Sequence, residues 1–392
     1  MGQSIFTRAV HAGEGQRLVE TPTVGGILPS TTYQSDPDRM DDILGGRISG
    51  YTYQRHASPT VHALELAVAE LEGQGEALAY ASGMAAVHAA LLAAGVRSGD
   101  TILLAQDIYG ASTTLATDVL GPLGVHVVRA DLVDLSTARS LLLAHRPRAV
   151  LFETISNPLL RLVDGPALTR LAHESGATVL VDNTFATPLL AQPLGYGADM
   201  VIHSATKYLG GHGDATLGVV AAGEELAAVL HRQRKLTGAT AGPFEAWLVH
   251  RGLKTLPLRF FRQCDSARQV ALGLEQHGLR VHFPLLPSHP DHARARELFP
   301  SGRCGAVVTC DLGAEEARVR RFLRELRLVA CATSVGDIYS LCLYPAMASH
   351  RSLTVEQRLE IGITEGTVRF SVGIEDPDDI LADILRALAA SA

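Results

Sequence analysis

Two stretches decide the fold: ATVLVDNT (residues 177–184) and DMVIHSATK (residues 199–207). Each is a short apolar, β-rich run that stops abruptly in polar side chains. The same pattern recurs upstream in EALAYASG (76–83), TILLAQD (101–107), HVVRADL (126–132) and AVLFETIS (149–156). Amphipathic helical stretches such as HALELAVAELEG (62–73) and MAAVHAALLAAG (84–95) alternate with these runs. Strands alternating with helices predict an α/β domain with a large, mostly parallel sheet. In such sheets ligands bind at the carboxyl ends of the strands, so the chemistry is expected where the runs turn polar.

The flanks read differently. Residues 1–55, punctuated by Gly25, Gly26, Pro29, Pro37, Gly45, Gly46 and Gly50, show no sustained periodicity and read as an extended arm. The α/β domain is expected over 56–247. Residues 248–392 mix strands (GAVVTCDL, TVRFSVG) with helices (EEARVRRFLREL, DPDDILADILRALAA), which predicts a smaller α+β domain.

With 392 residues, 47% of them hydrophobic, the chain can bury more than one core. A net charge of -7 without a basic block argues against nucleic acid or an anionic membrane as partner and for a small molecule. The segment MGQSIFTRAVHAG lacks an apolar h-region, and no apolar stretch reaches the ~20 residues that span a bilayer. A cytoplasmic protein is the expectation. The five cysteines form no CxxC pair, so buried free thiols are expected rather than a disulfide framework or a metal site.

Lysine is scarce. Of 34 basic residues only Lys207, Lys235 and Lys254 are lysines. Arginine replaces lysine in a salt bridge but not as a primary amine that bonds to an aldehyde. Lys207 ends an apolar run, with Ser204 and Thr206 just before it. Its amine, if desolvated, becomes a nucleophile and proton shuttle; the alternative is a surface lysine at a strand end. Asp182 ends VLVD and must find a cation, such as a pyridinium nitrogen, or cap the next segment. Ser82, Gly83 and Met84 open a helix and form an anion site, although such turns are common. Tyr109 could stack on a flat ring or be structural. Arg369 could hold a carboxylate bidentately or pair with Glu365 or Glu375.

Taken together, RAVHAG, ASGMAA, DIYG, ETISNPLLRLVD, VLVDNTFATP, HSATKYLGGHGD, RGLKTLPLR, YPAMASH and VRFSVGIEDPDDI span nearly the whole chain. In these blocks the sequence resembles the Cys/Met-metabolism family of pyridoxal-phosphate (PLP) enzymes: cystathionine γ-synthase, cystathionine γ-lyase, methionine γ-lyase and the O-acylhomoserine sulfhydrylases. The resemblance implies fold type I, the aspartate aminotransferase-like α/β fold, with pyridoxal 5'-phosphate as cofactor. It implies that Lys207 bonds to the cofactor aldehyde, Asp182 pairs with the ring nitrogen and Tyr109 stacks on the ring and protonates a leaving group. Ser82, Gly83, Met84, Ser204 and Thr206 would surround the phosphate, completed by Tyr53 and Arg55 of an adjacent subunit. Asn157 would bond near the ring oxygen and substrate carboxylate, and Ser334 with Arg369 would hold that carboxylate. A homotetramer, as a dimer of dimers, is implied as well.

The expected activity is that of a carbon–sulfur lyase or γ-replacement enzyme of trans-sulfuration, acting at Cβ or Cγ of an amino acid. Departures keep alternatives open. Tyr339 stands where the family often has the glutamate of a distal substrate site, Tyr344 where histidine is common, Ser58 where asparagine is usual, and Ala111 where many methionine γ-lyases have cysteine. The alternatives are γ-chemistry on a non-standard amino acid, an O-acylhomoserine sulfhydrylase, and an inactive cofactor-binding relative.

Overall fold

Six predicted strands and a seventh form one sheet in the computed structural model, which describes residues 3–13, 23–351 and 353–392. In chain order they are β1 (Glu76–Tyr80), β2 (Thr101–Ala105), β3 (His126–Ala130), β4 (Ala149–Glu153), β5 (Thr178–Asp182), β6 (Met200–Ser204) and β7 (Gly218–Ala222). The spatial order is β1-β7-β6-β5-β4-β2-β3. The run from β6 to β3 is parallel throughout, and β7 is antiparallel to both of its neighbours. Strands β4 and β7 are buried along their whole length, the continuous apolar pattern of a sheet covered on both faces.

Register sets the site. Glu153 pairs with Asp182 across β4 and β5, and Ser204 ends β6 beside them. Helix Gly83–Ala93 begins directly after β1 and is capped by Ser82, whose hydroxyl accepts from the Ala85 N–H at 3.1 Å. A Cβ at Gly218 would lie 2.2 Å from the Ser82 carbonyl oxygen, so only glycine lets β7 come this close to the cap.

A second sheet holds β8 (Arg280–His282), β9 (Val307–Asp311), β10 (Ala330–Cys331), β11 (Leu341–Leu343) and β12 (Thr367–Ser371), in the order β10-β11-β12-β9-β8. Helices Leu256–Gln276, Glu316–Glu325 and Pro377–Ala390 pack with it, as expected for an α+β unit. The sequence boundary at 247/248 falls inside helix Pro243–Leu253.

The arm needs correcting. It is not extended throughout: helices Ile5–His11 and Pro37–Leu44 interrupt it, each with a side-chain cap, from Ser4 and Asp36. Residues 1–2 and 14–22 of the arm lie outside the described residues. The thiols also differ from expectation at one position: Cys264, Cys304, Cys310 and Cys342 are free and buried, but Cys331 is exposed on the short edge strand β10. Among the described residues, no helix is long and apolar enough to cross a membrane.

Candidate active site

A cavity of about 220 Å³ opens at the carboxyl ends of β4, β5 and β6. Of the predicted residues, Ser82, Gly83, Met84, Tyr109, Asn157, Asp182, Ser204, Thr206, Lys207 and Arg369 line it. Chain segments more than 280 residues apart in sequence thus converge on one crevice.

Lys207 lies in the turn after β6, where its N–H donates to the Ser204 carbonyl at 3.0 Å. Its Nζ donates to Ser334 Oγ at 3.2 Å. Burial lowers the amine's pKa, and the Arg369 charge lowers it further, against a smaller opposing pull from Asp337. A larger share of the amine is therefore unprotonated, and free to accept a proton, than in a solvated lysine.

Arg369 is buried in β12 and its own pKa falls to about 10, chiefly by desolvation. Its Nη1 donates to Asn157 Oδ1 at 2.9 Å and its Nη2 to the Ser334 carbonyl at 3.1 Å, while Nε is buried with no partner. Neither Glu365 nor Glu375 pairs with it; Glu375 accepts instead from the Ser340 N–H and hydroxyl. A buried guanidinium without a carboxylate is a costly arrangement that an anionic ligand relieves.

Asp182 caps a turn rather than the next helix, and it also lines the cavity. Its Oδ1 accepts from Thr184 N at 3.0 Å and Thr184 Oγ1 at 2.5 Å, as a turn cap, and the side chain also faces the cavity. Burial raises its pKa, partly offset by the Thr184 bonds and His203. Beside it Glu153, not singled out from sequence, lines the same cavity. Its Oε1 accepts from the Tyr109 N–H at 3.1 Å, and Oε2 is buried without a partner. Burial and the Asp182 charge push this carboxyl well above the usual range.

The anion end is built from backbone. Ser82 caps the helix, and it lines the crevice together with Gly83 and Met84 of the first turn, where a helix leaves N–H groups without an intrahelical partner. A Cβ on Gly83 would sit 2.9 Å from Ser204 Cβ and Oγ, so glycine keeps this corner open. Thr206 Oγ1 is occupied, accepting from Leu217 N at 2.9 Å and donating to the Leu217 carbonyl at 3.2 Å. Tyr109, 42% exposed, stands at the mouth as the residue before helix Gly110–Thr114.

Three predicted residues lie elsewhere. Tyr53 and Arg55 sit outside this chain's cavity, the Arg55 guanidinium stacked 5.5 Å from the Tyr53 ring centre and donating to the Lys235 carbonyl. Tyr339 is 58% exposed and outside the cavity lining. Ser334 touches the site through Lys207 and Arg369 rather than as lining, whereas its neighbours Thr333 and Val335 do line it.

These residues fit the pyridoxal phosphate that the resemblance implies. The crevice supplies a desolvated primary amine, a half-buried carboxylate for a ring cation, and a capped helix N-terminus for a phosphate. An unpaired buried guanidinium is left for a carboxylate.

Comparison with known proteins agrees. The family model for Cys/Met metabolism PLP-dependent enzymes matches residues 6–389. The chain is 42% identical to the cystathionine γ-lyase of Bacillus subtilis (strain 168) over 88% of this chain and 90% of that one. It is 40% identical to a cystathionine β-lyase of Lactococcus lactis subsp. cremoris (strain MG1363) over 98% and 99%. The crystal structure of cystathionine γ-synthase from Xanthomonas oryzae pv. oryzae, in complex with aminoacrylate and cysteine, superposes with a TM-score of 0.92 at 35% identity, covering 100% of this chain and 99% of that one. Built on that fold and matched from end to end, the chain belongs to the Cys/Met metabolism PLP-dependent enzymes, the lyases and synthases of sulfur amino acids.

Proposed function

We propose that this protein is a carbon–sulfur lyase or γ-replacement enzyme of trans-sulfuration, of the cystathionine γ-synthase or γ-lyase type, with an amino acid as substrate. One observation carries the reading: Ser334 touches both Lys207, through its hydroxyl at 3.2 Å, and Arg369, through its carbonyl at 3.1 Å. A proton-moving amine and a carboxylate-holding guanidinium are thereby tied to one residue.

In this reading Ser82, Gly83, Met84, Ser204 and Thr206 hold the cofactor phosphate, with Tyr53 and Arg55 reaching it from a neighbouring subunit. Asp182 would pair with the ring nitrogen, Tyr109 would hold the ring, and Lys207 would be the residue that anchors the aldehyde. When bound, pyridoxal phosphate supplies an electron sink for the pair left on Cα. Arg369, with Asn157 and Ser334, holds the substrate α-carboxylate and so fixes which Cα bond faces Lys207. The Lys207 amine, whose lowered pKa leaves more of it unprotonated and able to accept, would take the α-proton and in γ-chemistry the β-proton. Tyr109 donates a proton to the departing group.

Relatives of similar identity carry γ-lyase, β-lyase and γ-synthase activities, so assay decides among them. Holoenzyme is to be tested on cystathionine, homocysteine, methionine, O-acetylhomoserine and O-succinylhomoserine, with keto acid, ammonia and thiol measured. Turnover of at least one is expected, and inertness toward all five would refute the trans-sulfuration reading. A second reading, γ-chemistry on a non-standard amino acid or on an O-acylhomoserine, is favoured by the exposed Tyr339 in place of the family's glutamate. A cofactor band that no amino acid shifts would make the protein a non-catalytic binder.

The same proposal includes the division into arm (1–55), cofactor domain (56–247) and C-terminal domain (248–392), a homotetrameric dimer of dimers, and a cytoplasmic location. Sedimentation that shows only monomer would contradict the cross-subunit arm.

A further inference from the structure

A second cavity, of about 360 Å³, lies where helix Glu316–Glu325 meets the turn Pro345–Met347 and helix Val355–Glu360. Three arginines line it, Arg320, Arg351 and Arg358, together with Tyr344, Met347 and a single carboxylate, Glu316. That carboxylate is already committed: Arg320 Nε donates to Glu316 Oε1 at 2.7 Å. Two guanidiniums remain without a carboxylate in the lining. Arg358 anchors one nitrogen, Nη1, on the Leu353 carbonyl at 2.7 Å, which fixes the fork with donors to spare. Arg351 is exposed at the rim.

Tyr344 is the residue that departs from the family's common histidine. Its side chain is buried against this cavity, and burial raises the phenol's pKa, so the hydroxyl stays protonated and able to donate. A concave wall with two unmatched guanidiniums and a phenol donor has the chemistry of an anion receptor. Forked N–H groups match the paired oxygens of phosphate and carboxylate, and the concavity focuses the field.

The position matters as well. Leu343 in β11 is the register partner of Arg369 in β12, so Tyr344 follows directly on the strand paired with the one that holds the buried guanidinium. The same segment carries the Ser349 carbonyl to within 2.8 Å of where a Cβ on Gly110 would stand, next to Tyr109. An occupant would rest on a segment that also borders the first cavity.

We propose that Arg320, Arg351, Arg358 and Tyr344 form a second anion site, distinct from the cofactor crevice, for a small dianion: a phosphate monoester or a dicarboxylate.

The test uses holoenzyme reduced with borohydride, so that the cofactor phosphate stays in its own place. Calorimetric titration at low ionic strength, where screening is weak, is made with inorganic phosphate and separately with succinate. One phosphate per chain is expected, and for succinate one ion that still binds in Arg369→Lys, with the affinity of either falling tenfold or more in Arg351→Gln and in Arg320→Gln. Tighter binding of phosphate marks a phosphate-ester site, and tighter binding of succinate a dicarboxylate site. Arg351 is exposed, so its variant is expected to fold, which unchanged thermal unfolding would verify. No binding of either ion, equal binding by both arginine variants, or loss in Arg369→Lys alone would overturn the proposal. The outcome is independent of which sulfur amino acid the enzyme turns over.

Discussion

Glu153 and Asp182 are register partners at the ends of neighbouring parallel strands, so a buried and a half-buried carboxyl group stand side by side on the cavity wall. Burial raises the pKa of both, and the Asp182 charge raises Glu153 further. One ring cation can neutralise only one of them. Asp182 is the proposed partner of that cation, which leaves Glu153 as the carboxyl that burial biases toward the protonated form, accepting from the Tyr109 N–H.

This has a signed consequence for stability. A carboxyl whose folded pKa lies above its unfolded value, ~4.3 for glutamate, contributes stability fully below that value. The contribution is lost as pH rises through the folded pKa. Glu153→Gln keeps an acceptor for the Tyr109 N–H and cannot ionise. Cofactor-free wild type should therefore lose Tm relative to Glu153→Gln as pH rises from about 4, measured by calorimetry at matched ionic strength. A Tm difference that is flat with pH would contradict the neutral-acid assignment.

Arg369→Lys removes the fork and leaves Asn157 Oδ1 and the Ser334 carbonyl with at most one donor between them. KM for the amino acid should rise about ten- to a hundredfold, the effect of losing a charge-assisted hydrogen bond of ~1.5–3 kcal/mol. The turnover number should change much less. Steady-state kinetics check the split; a fall in kcat at constant KM would place the carboxylate elsewhere.

At Gly83 the added methyl of Gly83→Ala would stand 2.9 Å from the Ser204 side chain at the helix N-terminus. Relief requires shifting the helix start or Ser204, a strain of ~1–3 kcal/mol. Cofactor affinity, followed by titrating apoprotein with pyridoxal phosphate, should drop with stability to denaturant. Unchanged affinity would show that the phosphate does not sit there.

Much of this was legible in the chain because its strands are short, apolar and sharply ended, so β1 to β6 and their polar termini could be read directly. Lys207 was marked by the scarcity of its residue type. The helices in the arm were harder: Ser4 and Asp36 signal N-caps, but glycine and proline dominate the segment around them. Glu153 carries no mark of its own, since its raised pKa comes from the neighbour that sheet register places beside it. The arginine cavity likewise exists only after residues 316–320 and 344–358 are folded together.

The central claim is a covalent bond at Lys207, and the chain offers only two other lysines, Lys235 and Lys254. Purified holoenzyme, yellow from a band near ~420 nm that lysine-bound pyridoxal gives, is to be reduced with borohydride, digested and mapped by mass spectrometry. The account predicts a phosphopyridoxyl group on the peptide carrying Lys207 and on no other. A label on Lys235 or Lys254, or an unlabelled Lys207 peptide in protein that was yellow, would contradict it.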